Sequence, residues 1–217
     1  MRVAGVDDAG RGCVIGPLVV AGALFEEGDV ERLRVIGVQD SKALTPGRRE
    51  RLAEEIEGIA LDCAYFEIPP RAIDRVVERG VRLRRLNYLE AMAMAYVIRE
   101  LKPDRVYVDA SDINAERFGE HILSALREKP HIISEHEADA RYPVVAAASI
   151  LAKVRRDDII RRLREHYGDF GSGYPHDPKT VRFLEEWFSR HPDGCPPFIR
   201  GSWSTVKRIR GRVRGQP

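Results

Sequence analysis

Apolar residues recur along this chain at two spacings. Val3 to Val6 is a short apolar run that reads as a buried strand, and Val14 to Leu24 reads as its continuation or hairpin partner. A loop follows at Gly37-Val38-Gln39-Asp40-Ser41-Lys42. Thr45-Pro46 then supplies an N-cap and a first helical residue for a helix expected to reach about Ile59. Leu61 to Ile68 reads as a strand, and Pro69-Pro70 opens a helical stretch toward Glu78. Leu83, Leu86, Leu89, Met92, Ala93, Tyr96 and Val97 fall at helical spacing through Leu101, and Pro103 ends that run. Arg105 to Asp109 is a strand ending in an acid, and a helix is expected from about Asn114 to Leu126. His131 to His136 reads as a strand with Asp139 just beyond it. Tyr142 to about Tyr167 reads as one long helix, small and apolar at first and then strongly basic. Asp177-Pro178 caps a helix ending near Phe188, and the Pro/Gly loop from Pro192 to Pro197 precedes a short basic helix.

This order predicts an α/β fold: an antiparallel start, then strand–helix–strand units that favour parallel pairing. The 217 residues suit one large domain or one domain with an appendage. No break into two equal domains is visible, so residues 1–175 are assigned to a catalytic domain and 176–217 to a basic helical extension. There is no internal repeat, and only the Arg/Gly end from Arg208 to Gly215 is compositionally biased.

Hydrophobic residues make up 43% of the chain and charged residues 32%, which predicts a soluble globular protein. No apolar run approaches the roughly 18 residues that span a bilayer. The sequence opens directly on a strand pattern without a signal segment, so a cytoplasmic enzyme is expected. Cys13, Cys63 and Cys195 are far apart and form no zinc-ligand spacing, so they are read as free thiols or small core residues. The net charge of +2 is unevenly placed. Residues 1–140 carry 26 acidic against 20 basic side chains, and residues 141–217 carry 16 basic against 8 acidic. A basic C-terminal part beside an acidic site suits a polyanion held by one region and cut at another. A solvated, Arg-rich surface is the plain alternative.

The chemistry concentrates in Val6-Asp7-Asp8-Ala9-Gly10-Arg11-Gly12, where two adjacent carboxylates end a buried strand and a Gly-Arg-Gly turn follows. Unpaired charges beside a core cost several kcal/mol, so something positive is expected there. Asp109 and Asp139 share the context, each at or just past the end of a strand, and such residues gather along one rim of an α/β sheet. Four carboxylates in one place repel each other unless cations neutralise them. Hard divalent ions take oxygen ligands, and a pair of Mg²⁺ or Mn²⁺ ions about 4 Å apart suits in-line displacement at phosphorus. A lone Asp after a strand is more simply a turn or cap residue. Because neighbouring strand residues point to opposite faces, Asp7 and Asp8 share one site only where the strand ends or twists.

These residues, with others in order along nearly the whole chain, resemble type 2 ribonuclease H (ribonuclease HII), most closely its archaeal branch. The similar segments are Gly5 to Gly12, Gly16-Pro17-Leu18-Val19-Val20, Asp40-Ser41-Lys42-Ala43-Leu44-Thr45 and Tyr107-Val108-Asp109. Ala138-Asp139-Ala140-Arg141-Tyr142-Pro143, Ala147 to Val154 and Gly171-Ser172-Gly173-Tyr174-Pro175 complete them. The resemblance implies a ribonuclease H-like fold, a mixed central sheet flanked by helices, with a helical C-terminal extension. It implies cleavage of the RNA strand of RNA–DNA hybrids, and of duplex DNA at embedded ribonucleotides, leaving a 3′-hydroxyl and a 5′-phosphate with Mg²⁺ or Mn²⁺ as cofactor. The family's metal-binding acids fall on Asp7, Asp8, Asp109 and Asp139.

The same resemblance assigns Gly10, Arg11 and Gly12 to a turn that senses the ribose 2′-hydroxyl through backbone groups, the group that separates RNA from DNA. It places Tyr174 on the sugar of the following deoxynucleotide, and Lys42 and Lys153 near phosphates. Ser41 and Ser149 are candidates for further phosphate hydrogen bonds. Arg11 pairs either with a phosphate or with a site carboxylate. The basic face of Arg155, Arg156, Arg161, Arg162 and Arg164, with Lys207, Arg208, Arg210 and Arg212, is expected to grip the duplex backbone without reading sequence. One position departs from the family pattern: Asp8 stands where Glu is usual, which withdraws the carboxylate by about 1.5 Å. A displacement of that size can cost on the order of 100-fold in rate. The competing readings are therefore a catalytically weakened hybrid-binding protein, a two-metal nuclease acting on DNA, and a phosphatase acting on small phosphates. No membrane contact is expected, the protein is expected to be monomeric, and no clear sliding-clamp motif follows Arg208.

Overall fold

The computed structural model describes residues 1–38, 45–79 and 82–215. Strand β1 (Arg2–Ala9) runs antiparallel to β2 (Leu18–Glu26), with Arg2 opposite Glu26 and Ala9 opposite Val19. A short 3-10 turn (Glu27–Asp29) and helix α1 (Val30–Val35) follow, then α2 (Pro46–Ile59), β3 (Asp62–Ile68), α3 (Pro70–Glu78) and α4 (Arg82–Leu101). The chain continues through β4 (Arg105–Asp109), α5 (Ala115–Ala125), β5 (His131–Glu135) and the one-turn α6 (Ala138–Arg141). It ends with α7 (Pro143–Tyr167), α8 (Pro178–Arg190) and α9 (Ser204–Val213). The sheet order is β3-β2-β1-β4-β5, with β1 in the centre. β2 pairs antiparallel with β1 and β3, while β4 pairs parallel with β1 and β5. The expected mixed sheet is present.

Helices cover both faces of the sheet, so β1 is buried on both sides and reads as one continuous apolar run. Alternation along the strand still decides which helix each residue meets. Ala4 and Val6 join the core formed with α4 and α5, where Met94, Ile98, Phe118 and Ile122 are buried. Val3 and Ala9 join the opposite core with α2 and α7, where Leu52, Ile56, Val145 and Ala147 are buried. The small residues that open α7 let that helix lie flat against the strand. At Gly5 an added Cβ would stand 2.0 Å from the Val144 carbonyl oxygen.

A third core gathers Val14, Ile15, Ile160, Phe170, Leu184, Phe188, Ile199 and Ile209. It corrects one expectation. Val14 and Ile15 do not belong to the second strand. Gly16 at φ +92° and Pro17, which has no N–H to give a ladder, separate them from it. They meet the C-terminal region instead: Ile15 bridges Ile199, Gly16 N–H donates to the Phe198 carbonyl at 2.8 Å, and Arg200 N–H donates to the Val14 carbonyl at 2.9 Å. α1 was not expected; it spans six residues with only Leu33 buried, too short for a helical period to show. Asp139, just beyond β5, lies on α6. Tyr142, extended before Pro143, separates α6 from α7. The Thr45 hydroxyl and the Asp177 carboxylate cap α2 and α8 as the sequence indicates, and the Asn114 amide oxygen caps α5. Among the described residues no helix is long and apolar enough to cross a membrane.

Gly5→Ala should wedge α7 away from β1 and lower the unfolding free energy by roughly 2–3 kcal/mol. Thermal or urea unfolding checks this; an unchanged midpoint would contradict the close packing described.

Candidate active site

Val6 of β1 pairs with Val108 of β4 in parallel register, so the C-terminal ends of the two strands release Asp7, Asp8 and Asp109 side by side. Strand alternation sends the two N-terminal acids apart, and the site straddles the end of the sheet. Asp7 turns toward α7, within hydrogen-bonding reach of Ser149, and its Oδ1 accepts from the Asp8 N–H at 2.7 Å. Asp8 turns toward α4, where its carboxyl meets that of Glu90. Asp109 acts electrostatically on both, and its Oδ1 accepts from the Ala138 N–H at 2.9 Å. That bond docks α6 on the site and sets the half-buried Asp139 one residue away.

The electrostatics follow from burial. Asp7 is pushed up to about 8, first by loss of water, then by the charges of Asp8 and Asp109, against hydrogen bonds from Ser149 and the Asp8 amide. Burial also raises Asp8, opposed by Arg11. Glu90 is raised well above its ordinary value, by burial and then by Asp8. Asp8 Oδ2 and Glu90 Oε1 are both buried without a hydrogen-bond partner. Two such oxygens need a shared proton or a cation. The donors are all carboxylate oxygens, which fits a hard divalent ion in chemical type. As they stand, no group of three His, Cys, Asp or Glu side chains among the described residues is arranged to hold one.

The Gly-Arg-Gly turn is the connection that leaves β1. Gly10 has φ +89°, which only glycine adopts without strain, and an added Cβ would stand 2.7 Å from Arg156 Nε. The Arg11 guanidinium reaches α4, giving 2.5 Å to Glu90 Oε2 and 2.6 Å to Asn87 Oδ1. Asn87 Nδ2 in turn donates to Asp112 Oδ2 at 3.0 Å. Of the two partners the sequence left open for Arg11, the structure supplies the carboxylate. Arg200, fully buried, donates to the carbonyls of Gly10, Arg11 and Gly16 at 2.7, 2.8 and 3.1 Å.

A cavity of about 410 Å³ opens beside this turn, lined by Asp8, residues 9–12, Arg49, Lys153, Arg156, Asp157 and Tyr174. Lys153 and Tyr174 thus share one cavity with Asp8 and the turn. The guanidinium of Arg156 lies 4.7 Å from the Tyr174 ring centroid and donates to the Ser172 carbonyl at 2.9 Å, which fixes the tyrosine from behind. His176 stacks on Tyr174 with ring centroids 5.6 Å apart. Ser149 is 2% exposed and faces the Asp7 carboxyl. Ser41 and Lys42 lie outside the described residues. A larger, mostly apolar groove of about 740 Å³ between α3, α4 and α5 has no carboxylate in its lining.

Much of the basic face is already paired within the protein. Arg155 meets Glu67 at 2.8 Å, Arg161 and Arg162 meet Asp158, Arg164 meets Asp169 at 2.9 Å, and Arg212 meets Glu185 at 3.7 Å. Arg156 is buried, and Arg210 donates to the Pro192 and Asp193 carbonyls. Lys207 and Arg208 are exposed on α9. Sequence reasoning missed Asn87, Glu90, Asp112 and Arg200. Asn87 and Glu90 carried a signal, two polar residues three apart beside Leu86 and Ala93 of an otherwise apolar stripe. Arg200 carried none, because nothing local marks an arginine as buried.

The family model described as Ribonuclease HII matches residues 4–206. The Ribonuclease HII of Pyrococcus furiosus is 46% identical over 216 residues, covering 100% of this chain and 94% of that protein. The crystal structure of the ribonuclease H2 from Pyrococcus horikoshii OT3 superposes with a TM-score of 0.90 at 45% identity, covering 99% of both chains. The RNase HII in the PCNA complex from Archaeoglobus fulgidus superposes at 0.83 and 43% identity, covering 96% of both.

The raised Asp7 sets a pH dependence. Between its ordinary 3.8 and about 8, the folded protein holds a proton that the unfolded chain has released. This contribution to stability is complete below about pH 4 and is lost as pH rises toward 8. In a chelator, the parent should therefore lose stability relative to Asp7→Asn across that window. Melting curves at pH 5 and pH 8 check this; parallel pH profiles for the two proteins would contradict it.

Proposed function

The chain belongs to the ribonuclease HII family, the type 2 ribonucleases H, and from that premise we propose that it cuts the RNA strand of RNA–DNA hybrids and cuts duplex DNA at single embedded ribonucleotides. The products proposed are a 3′-hydroxyl and a 5′-phosphate. The observation that carries this reading is the meeting of Asp7, Asp8 and Asp109 at the ends of two parallel strands, beside a glycine turn and a cavity lined by Lys153 and Tyr174. Asp7, Asp8, Asp109 and Asp139 would hold the divalent ions, Mg²⁺ or Mn²⁺. Bound ions supply a more acidic attacking water and positive charge for the leaving oxygen.

The chain's own residues do the rest. Ser149 and the Asp8 amide orient the Asp7 carboxyl, and Asp109 fixes α6 and hence the position of Asp139. Lys153 gives a phosphate-sized cation in the cavity, and Tyr174, braced by Arg156, gives an aromatic face for a sugar. The turn at Gly10–Gly12 offers backbone groups at close range to a 2′-hydroxyl. In this reading residues 1–175 carry the chemistry. The helical extension 176–217 adds backbone grip through Lys207 and Arg208, the arginines paired elsewhere contributing less. The Archaeoglobus relative was solved in a complex with PCNA, and co-purification with a sliding clamp is the direct check for a similar contact here.

The second reading, a weakened protein that binds hybrids without cutting them, rests on Asp8 in the place of Glu. Two duplexes that differ by one 2′-hydroxyl, incubated with Mg²⁺ and with Mn²⁺ separately, distinguish the two. Cleavage at the ribonucleotide supports the enzyme; tight binding with no product in either ion supports the alternative. Asp109→Asn should lower turnover by at least about 100-fold with the fold kept. Asp8→Glu should retain or raise it, and a large loss in a folded Asp8→Glu protein would show the role of that carboxylate to be misassigned.

A further inference from the structure

We propose that Arg200, from the C-terminal segment, is the positioning residue that makes the Gly10–Gly12 turn read a ribose: it holds two peptide planes so that their amides face the substrate cavity. The inference rests on the reading of that turn as the sugar sensor.

Arg200 has no exposed surface, and its guanidinium is spent on carbonyls. Nη2 donates to Gly10 O at 2.7 Å, Nη1 to Arg11 O at 2.8 Å, and Nε to Gly16 O at 3.1 Å. A trans peptide is planar, with the N–H of one residue pointing opposite to the C=O of the residue before it. Drawing the carbonyls of Gly10 and Arg11 inward therefore turns the N–H groups of Arg11 and Gly12 outward. Neither of those two amides donates within the described structure. The outward side is open: a Cβ on Gly12 would meet nothing within 4 Å, and both residues line the cavity with Asp8 and Tyr174.

The segment that carries Arg200 is itself fixed on both sides. Its N–H donates to Val14 O at 2.9 Å, and Asp74 of α3 accepts from the Gly201 and Ser202 amides at 2.9 and 3.0 Å. The Trp203 ring centroid stands 5.3 Å from the guanidinium. A fork anchored this way imposes its geometry on the turn. Lysine, with one point charge, cannot hold three carbonyls in a fixed pattern. Recognition of the sugar is thereby tied to the docking of the C-terminal region.

The test compares the full chain with Arg200→Lys and Arg200→Gln, each checked for fold by circular dichroism and melting. Binding is measured in a chelator, so that no product forms, on two duplexes identical but for one 2′-hydroxyl. The parent should prefer the ribonucleotide duplex. In both variants that preference should fall about tenfold or more, while affinity for the all-DNA duplex stays within about twofold. General loosening would weaken both duplexes alike. A folded Arg200→Lys protein with the parent's preference overturns the proposal, as does an equal loss on both duplexes. Amide exchange on the unmodified protein gives an independent arm should neither variant fold: Arg11 and Gly12 N–H should exchange rapidly when free, and slow exchange there overturns the proposal. A parent with no preference, whose amides exchange rapidly, would instead sink the sugar-sensing reading and leave the clamp standing.

Discussion

The end of β1 buries more negative charge than the protein can hold ionised. Asp7 and Glu90 are withdrawn from water, Asp8 is half-buried between them and the cavity, and Asp109 adds its field from the neighbouring strand. An isolated buried carboxylate either takes up a proton or acquires a positive partner. The scaffold supplies only part of that compensation. Arg11 pairs with Glu90, while Arg200 and Arg156 approach the turn with their hydrogen bonds directed to backbone carbonyls. The remaining need is a proton at Asp7 or a cation between the acids. A proton held at Asp7 would have to leave before that carboxylate could bind a cation, so any cation uptake here would be coupled to pH.

The architecture makes this concentration of charge tolerable by locking everything around it. Parallel pairing of β1 with β4 sets the acids in register, and α7 closes one face so tightly that Gly5 admits no side chain. α4 closes the other and delivers Asn87 and Glu90 to Arg11, and Asn87 is held in turn by Asp112 in the loop after β4. Each polar side chain of this network is held by a second element. Buried networks of this kind specify one arrangement strongly when satisfied, because any shift leaves a donor or acceptor bare. The two oxygens left bare here belong to Asp8 and Glu90, whose carboxyls act on one another.

The mixed sheet, its antiparallel start and most helices were legible because each rests on local signals: apolar runs, the Thr45 and Asp177 caps, and Pro at the first turn of α2, α3 and α8. The acids were legible for the same reason, since a carboxylate at the end of an apolar strand is a conflict visible in one dimension. What escaped was non-local. Val14 and Ile15 looked like strand until residues 198–200 claimed them, a contact more than 180 positions away in sequence. Arg200 reads as one more arginine in a basic tail, yet it is wholly buried. Pairing was equally invisible on the Arg155–Arg164 face: charge counting shows the arginines but not that Arg155, Arg162 and Arg164 meet Glu67, Asp158 and Asp169 within the protein.

Arg11 shows why the distinction between side chain and backbone matters in this site. A sequence with Arg between two glycines invites a guanidinium–phosphate contact. The structure sends that guanidinium into α4, where a carboxylate and an amide oxygen satisfy it, and leaves the peptide groups of the turn facing the cavity. A backbone donor has a fixed length and no rotamers, so it loses little entropy on binding and tolerates little displacement of its target. On the proposed reading, such a turn would discriminate a sugar hydroxyl from a hydrogen by geometry rather than by charge. Its accuracy would then depend on what holds the peptide planes, and the carbonyls of this turn are held by Arg200, from the opposite end of the polypeptide.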